Sequence, residues 1–159
     1  MKASQSAIEL IKHYEGCKLE AYICPAGILT IGYGHTGKDV TKGKIITADQ
    51  AEKLLIADLA KYDAEIARYV KVELNQSQYD ALVSFVYNLG ARALATSTLL
   101  RKLNAREFDA VPREFLKWDK AKVNGEFKAL PGLTKRRKSE AALFRGEMVH
   151  DAIIAGKIT

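Results

Sequence analysis

Several things are missing from the 159-residue chain. No apolar run approaches the roughly 18–20 residues that a membrane-spanning helix needs. Cysteine is scarce: Cys17 and Cys24 are the only two, too few for the disulfide framework of a small secreted scaffold, so both are expected as free thiols. The first fifteen residues carry no secretory signature. After Lys2 only Ala7 and Ile8 precede Glu9, whereas a signal segment needs about 7–15 apolar residues. The chain is therefore expected to be made in a cytoplasm and not exported through a cleaved signal. Internal repeats and low-complexity segments are absent. Composition, 48% apolar and 28% charged, excludes disorder and collagen-like repeats. The length fits one domain, or two small lobes sharing a core.

What the chain does have is positive charge. Lys and Arg number 25 against 19 Asp and Glu, a net +6, and the excess is uneven. Residues 1–100 hold 11 basic and 11 acidic residues, whereas residues 101–159 hold 14 and 8. A basic half fits an anionic partner, whether nucleic acid, membrane surface or acidic polymer, or else it is only a solvated surface that aids solubility.

Along the chain, Ser4 can cap a first helix with Ile8, Leu10, Ile11 and Tyr14 on one stripe, ended by Gly16. Two β-prone runs then flank Pro25-Ala26-Gly27 and predict a small hairpin or three-stranded sheet. From Thr47 the texture is helical. Thr47-Ala48-Asp49-Gln50 is a capping box opening a helix to about Tyr69, and Asn75 with Gln78 opens Tyr79–Leu89, closed by Gly90. Further helices are expected at Thr98–Leu103, Glu107–Lys120 (interrupted by Pro112), Thr134–Phe144 and Glu147–Ala155, the last stopped by Gly156. Lys122–Thr134 is expected to be a loop. The plan is α+β, with a small antiparallel β lobe and a larger helical lobe joined by the long helix, and a cleft between them.

Gly32-Tyr33-Gly34-His35-Thr36-Gly37 matches the dinucleotide pattern G-x-G-x-x-G literally. The residues after it do not open a helix and no parallel sheet follows, so the glycines are assigned to tight turns and no cofactor is expected. Glu15 is a better candidate for chemistry. It ends the first helix, where the negative end of the helix dipole favours a protonated carboxyl, as a general acid requires.

Glu15-x8-Cys24-x5-Thr30, with Thr30-Ile31-Gly32-Tyr33-Gly34-His35-Thr36, resembles the catalytic signature of phage-type lysozymes, the endolysin family. Gln78–Gly90 is similar to that family's core helix, and Gly132–Glu140 to its Arg-rich segment. The three motifs span residues 15–145 in the family's order. The resemblance implies one lysozyme-like domain, with a β lobe at about 16–46, a connecting helix at about 48–69, and a helical lobe from 1–15 and about 70–159. It implies hydrolysis of the β-1,4 bond between N-acetylmuramic acid and N-acetylglucosamine in bacterial peptidoglycan, for host lysis, without metal or cofactor. Glu15 would be the acid and Thr30 would hold water on the opposite sugar face. The middle position, most familiar as Asp, is Cys24 here. An ordinary thiol, with a pKa near ~8.5, is only a few per cent thiolate at neutral pH. Cys24 is thus open as a base, an electrostatic partner or a nucleophile. The resemblance favours inversion with water over Thr30.

His35 has two readings, a structural pairing with a carboxylate or a catalytic partnership with Cys24. By resemblance Arg136 sits near the acid, where it would orient Glu15 and oppose the helix-end effect. Tyr87 and Asn88 are expected in the sugar cleft, and Trp118 in the core. The family further implies a monomer that waits in the host cytoplasm, acts on the wall in the periplasm, and needs a holin-like membrane protein for release. A thiol peptidase or amidase built on Cys24 and His35 is the second reading. A nucleic-acid binder is the third, disfavoured because no recognised motif appears and the basic residues are not interleaved with aromatics.

Overall fold

Ser4 starts the first helix with help from far along the chain. The structure, a computed structural model, describes residues 1–158. Ser4 caps α1 (Gln5–Glu15), and its backbone N–H donates to Asp80 Oδ1 at 2.9 Å while its hydroxyl meets Asp80 Oδ2. Asp80 is buried in α3 (Gln76–Leu89), so the N-terminus of α1 is fastened to the central helix. The stripe Ala7, Ile8, Leu10 and Ile11 faces the same core.

After Gly16 the chain forms β1 (Lys18–Ile23), β2 (Leu29–Gly32) and β3 (His35–Thr36), an antiparallel sheet in that order. Thr30 lies opposite Thr36, and Ile31 opposite His35. The sheet has its own small core of Ile31, Val40, Ile46 and Ala51, the last contributed by α2 (Ala48–Tyr69). Gly32 has φ +67, a left-handed conformation that favours glycine at this turn. The Thr47 capping box is formed: Gln50 N–H donates to Thr47 Oγ1 at 3.1 Å and Thr47 N–H to Gln50 Oε1 at 2.8 Å. The 22 residues of α2 run from the sheet to the larger core.

That core surrounds α3, in which every residue from Tyr79 to Val86 is buried. Such an all-round burial marks a central helix. Around it lie α4 (Ala91–Ala95), α5 (Thr98–Asn104), α6 (Val111–Leu116), α7 (Pro131–Phe144) and α8 (Val149–Lys157). No helix among the described residues is long and apolar enough to cross a membrane.

Three local expectations need correction. The helix expected over Glu107–Lys120 is a 3₁₀ turn (Phe108–Ala110) followed by the short α6, because Pro112 fits only a helix's first turn and restarts it there. The loop expected over Lys122–Thr134 is a hairpin, β4 (Lys120–Val123) and β5 (Glu126–Ala129), turned by Asn124 and Gly125 at φ +52 and +84; α7 then begins at Pro131. Gly156 lies inside α8 and does not stop it. A Cβ there would fall 2.5 Å from Tyr14 Oη and 2.6 Å from the Lys135 carbonyl, and against Ser139 Oγ.

His35 fastens the sheet to α2. Its Nδ1 lies 2.7 Å from Asp58 Oδ2 and its Nε2 2.9 Å from Asp39 Oδ2, so both nitrogens face carboxylates. Burial lowers the His35 pKa, but hydrogen bonds and charge from Asp58 and Asp39 outweigh it and leave the group above its ordinary value. The hydrogen bond to His35 holds Asp39 below its own.

Two outcomes are expected. Gly156→Ala should destabilise the fold by about 1–3 kcal/mol through overpacking, read as a lower thermal midpoint; an unchanged midpoint would show that α8 can slide. The His35 contribution is full below the unfolded pKa of about 6.5 and is lost as pH rises through the raised folded value. That of Asp39 is present above about 3.9 and lost as pH falls through its depressed value. The stability difference between wild type and His35→Asn, measured by urea unfolding, should therefore be largest near about pH 5–6 and shrink toward pH 9. A difference that does not vary with pH contradicts the charged clamp.

Candidate active site

The end of α1, strand β3, the middle of α2 and the end of α3 enclose a cavity of about 350 Å³. Glu15, Gly34, Thr36, Asp58, Lys61, Tyr62, Glu65, Tyr87 and Asn88 line it. Of the residues expected from sequence, Glu15, Tyr87 and Asn88 are in the lining. Thr30 is one strand behind it, opposite Thr36, and Cys24 is at the end of the same hairpin.

Glu15 is held from below. Arg136 Nη1 donates to Glu15 Oε2 at 3.2 Å, and the Arg136 side chain is buried while that of Glu15 keeps 23% of its surface. One oxygen is thus fixed to a buried cation while the carboxyl faces the cavity. Arg136 also donates through Nη2 to the Ser84 carbonyl at 3.2 Å and approaches Glu140 Oε2 at 3.4 Å. Glu140 has no exposed surface; it accepts from Ser84 Oγ at 2.5 Å and from Arg137 Nη2 at 3.1 Å. Arg137 Nε lies 2.7 Å from Glu140 Oε1 without a well-aligned hydrogen bond, so that contact is an ion pair. Arg137 completes itself by donating to Asn88 Oδ1 at 2.9 Å and to the Trp118 carbonyl at 3.4 Å. Because guanidinium only donates, the Asn88 oxygen must face Arg137.

Cys24 and Thr30 face each other across a tight turn. Cys24 N–H donates to the Ile28 carbonyl at 3.0 Å, and Gly27 N–H to the Cys24 carbonyl at 2.8 Å. The backbone N–H of Ile28, then the Thr30 hydroxyl, then the N–H of Ala26 lower the Cys24 thiol below its ordinary pKa. Hydrogen bonds to a thiolate act in that direction. Thr30 Oγ1 also lies 2.9 Å from the Ile28 carbonyl. Cys17 is exposed, Cys24 half-buried, and neither is in a disulfide.

Tyr87 bridges the sheet and the helices. Its hydroxyl donates to the Tyr33 carbonyl, and its ring meets Tyr62 edge-on at 5.7 Å. Burial first, then the charges of Glu15 and Asp58, raise its pKa well above the ordinary value, so it stays a neutral donor. Both His35 nitrogens are engaged by Asp58 and Asp39. Trp118 packs edge-on to Phe85 at 5.6 Å, half-buried.

Sequence reasoning missed the α2 wall of the cleft. Asp58, Lys61, Tyr62 and Glu65 recur at i, i+3, i+4 and i+7, one face of one helix, and such a polar face reads as ordinary solvated surface. Arg136, which the resemblance places near the acid, and Arg137 beside it both point inward and are buried.

Comparison with known proteins agrees with this geometry. The phage lysozyme family model matches residues 12–140. An endolysin of Acyrthosiphon pisum secondary endosymbiont phage 1 is 50% identical over 91% of this chain and 98% of that protein. An endolysin of Salmonella phage P22 is 43% identical over 91% of this chain and 98% of its own. Among solved structures, the muramidase domain of SpmX from Asticaccaulis excentricus superposes with a TM-score of 0.87 at 37% identity, covering 92% of this chain and 99% of that one. The chain thus belongs to the phage lysozyme family, and is an endolysin-type muramidase, a glycoside hydrolase of bacterial peptidoglycan.

Proposed function

We propose that Glu15 is the general acid of this lysozyme and that Cys24 and Thr30 together manage the water that attacks the sugar. The observation that carries the assignment is the Glu15 carboxyl facing the cleft while its Oε2 is held 3.2 Å from the buried Arg136. A glycosidic oxygen leaves only if a proton reaches it, and a fixed carboxyl beside the bond supplies one without reorientation. On the hairpin, the Thr30 hydroxyl has the Ile28 carbonyl and the Cys24 sulfur as alternative acceptors for its one proton, and with either it keeps its lone pairs for a water proton. The second proton of that water faces the Cys24 sulfur. With its pKa lowered, Cys24 serves as base or as the anionic partner of the oxocarbenium-like state. We favour inversion, in which water and not sulfur attacks. The thiol-peptidase reading is not supported, because Asp58 and Asp39 occupy both nitrogens of His35.

In this reading the bond cleaved is the β-1,4 linkage between N-acetylmuramic acid and N-acetylglucosamine. His35 and Arg136 support the site, and Tyr87 and Asn88 contact the glycan. The chain works as one two-lobed domain, with the β lobe at about 16–46, and as a monomer. It waits in the host cytoplasm until a holin-like membrane protein admits it to the periplasmic wall.

Glu15→Gln should lower turnover of purified peptidoglycan by about 10²–10⁴-fold in a variant that still folds, with its thermal midpoint lowered because the buried Arg136 loses its charged partner. Mass analysis of the digest should show muramic-acid reducing ends with wild type and almost none with the variant; free amines instead of sugar ends would overturn the muramidase chemistry, and near-full activity the acid. Cys24→Asp should keep activity within about tenfold of wild type, since a carboxylate can hold and polarise the same water. A large loss in Cys24→Asp, together with rapid inactivation of wild type by iodoacetamide, would point to a sulfur nucleophile.

A further inference from the structure

The hairpin β4–β5 contributes little to either hydrophobic core. All four residues of β5 are exposed, Phe127 with 69% of its surface free. A two-stranded hairpin alone is marginal in water, so this one depends on its root for stability. The root is firm. Leu130 N–H donates to the Asp119 carbonyl at 2.9 Å, and Thr134 Oγ1 to Asp119 Oδ2 at 2.8 Å. One residue earlier, the Trp118 carbonyl accepts from Arg137, whose other nitrogen holds the cleft residue Asn88. The hairpin thus springs from the network that shapes the cleft wall.

Its register sorts the side chains. Lys120 lies opposite Ala129 and Lys122 opposite Phe127, which places Lys120, Lys122 and Phe127 on one face. The other face carries Ala121 and Val123, both half-buried, with Lys128 and Glu126. Lys128 has Glu126 at 3.7 Å, whereas Lys120 and Lys122 have no carboxylate partner among the described residues. Lys122 Nζ stands 5.8 Å from the Phe127 ring centroid. The solvent face is therefore an exposed aromatic ring flanked by two unneutralised ammonium groups.

We infer that this face is a docking surface for the wall polymer outside the cleft, with Phe127 stacking on a sugar ring and Lys120 and Lys122 pairing with stem-peptide carboxylates. The inference rests on the reading of the chain as a peptidoglycan hydrolase and extends it to a second contact with the same substrate. Complementarity of charge supports it: the polymer is anionic, and the cleft lining itself carries Glu15, Asp58 and Glu65 against the single Lys61. Attraction of the polymer has to come from outside the cleft.

The test measures sedimentation of the full chain, carrying Glu15→Gln to prevent digestion, with purified sacculi. Phe127→Ala and the double variant Lys120→Gln/Lys122→Gln should each weaken binding by about fivefold or more, and the lysine variant should lose most of the salt dependence. Amidating the sacculus carboxyls should weaken the parent to the level of the lysine variant. In the Glu15 background thermal midpoints should match, since the side chains face solvent. With an active Glu15, these changes should cost more on sacculi than on a short soluble glycan. Unchanged sedimentation of both variants would overturn the proposal, as would equal losses on polymer and short glycan. So would weakened binding to phosphatidylglycerol vesicles without weakened binding to sacculi, which would identify a membrane as the partner. Each of these leaves the assignment of Glu15 intact, because that stands on the loss of turnover in Glu15→Gln and not on binding outside the cleft.

Discussion

Two arginines buried side by side in α7 set the conditions for much of this molecule. Arg136 and Arg137 are 3% and 0% exposed, and no α-helix can bury two guanidiniums without anions within reach. Glu140, one turn on, supplies the first anion. Burial still pushes Arg137 below its ordinary pKa, with Glu140 opposing. The second carboxyl is Glu15, brought from α1 across 121 positions of sequence. Arg136 therefore completes its partners inside the helical core through the residue that faces substrate. Removing one partner of such a set typically costs about 3–5 kcal/mol, because the other is left charged and unpaired. The acid is thereby aimed by the same network that holds α7 against α3, where Ser84, Asn88 and the Phe85 ring all meet the arginines.

The sheet side is held by fewer and more local ties. His35 joins β3 to α2 through Asp58, and Tyr87 joins α3 to the backbone at Tyr33. Tyr33 is also the residue that packs against both hydrophobic clusters, and Lys12 lies over its ring at 5.4 Å while pairing with Glu52 of α2. The strand carrying Thr30 is thus positioned relative to Glu15 by a histidine, a phenol and a lysine, in addition to the packing of Ile31 on Ala51 and of Tyr33 on both clusters. Positional precision between the two halves of the site then depends in part on polar contacts, whose strength varies with pH and salt more than packing does.

Local chemistry made much of this legible in the sequence. The capping boxes at Thr47 and Asn75 specify their helices within four residues, and both form. Glu15 at the end of its helix and Cys24 at the hairpin end are fixed by Gly16 and by Pro25-Ala26-Gly27. What stayed hidden depends on distant partners. The local pattern of Lys135–Lys138 gives no sign that Arg136 and Arg137 turn inward, since Glu15 is 121 positions from Arg136 and Asn88 49 from Arg137; only the resemblance places Arg136 near the acid. Asn124-Gly125 is a strong hairpin turn, but its flanking strands are short and Lys-rich, and so read as loop. Gly156 reads as a helix stop, whereas its use is close approach to Tyr14 and Ser139, which only tertiary packing defines.

The charge distribution has a consequence for catalysis. The basic half of the chain contributes no residue to the cleft lining; every lining residue comes from the charge-neutral first 100. Arg136 and Arg137, which belong to the basic excess, are spent on Glu15 and Glu140 inside the core. The cleft is consequently acidic within a basic protein. Glycosidic cleavage develops positive charge on the sugar ring, while the polymer in its ground state carries its negative charge on the peptides. The carboxylates along α2, and Glu15 as it gives up its proton, therefore interact more favourably with the transition state than with the ground state, which is the difference that accelerates a reaction. Lysines placed in the same lining would favour the ground-state polymer and oppose the developing cation. Separating the two signs, with anions in the cleft and cations on outer surfaces such as the β4–β5 hairpin, lets one small domain hold an anionic substrate and still stabilise a cationic transition state.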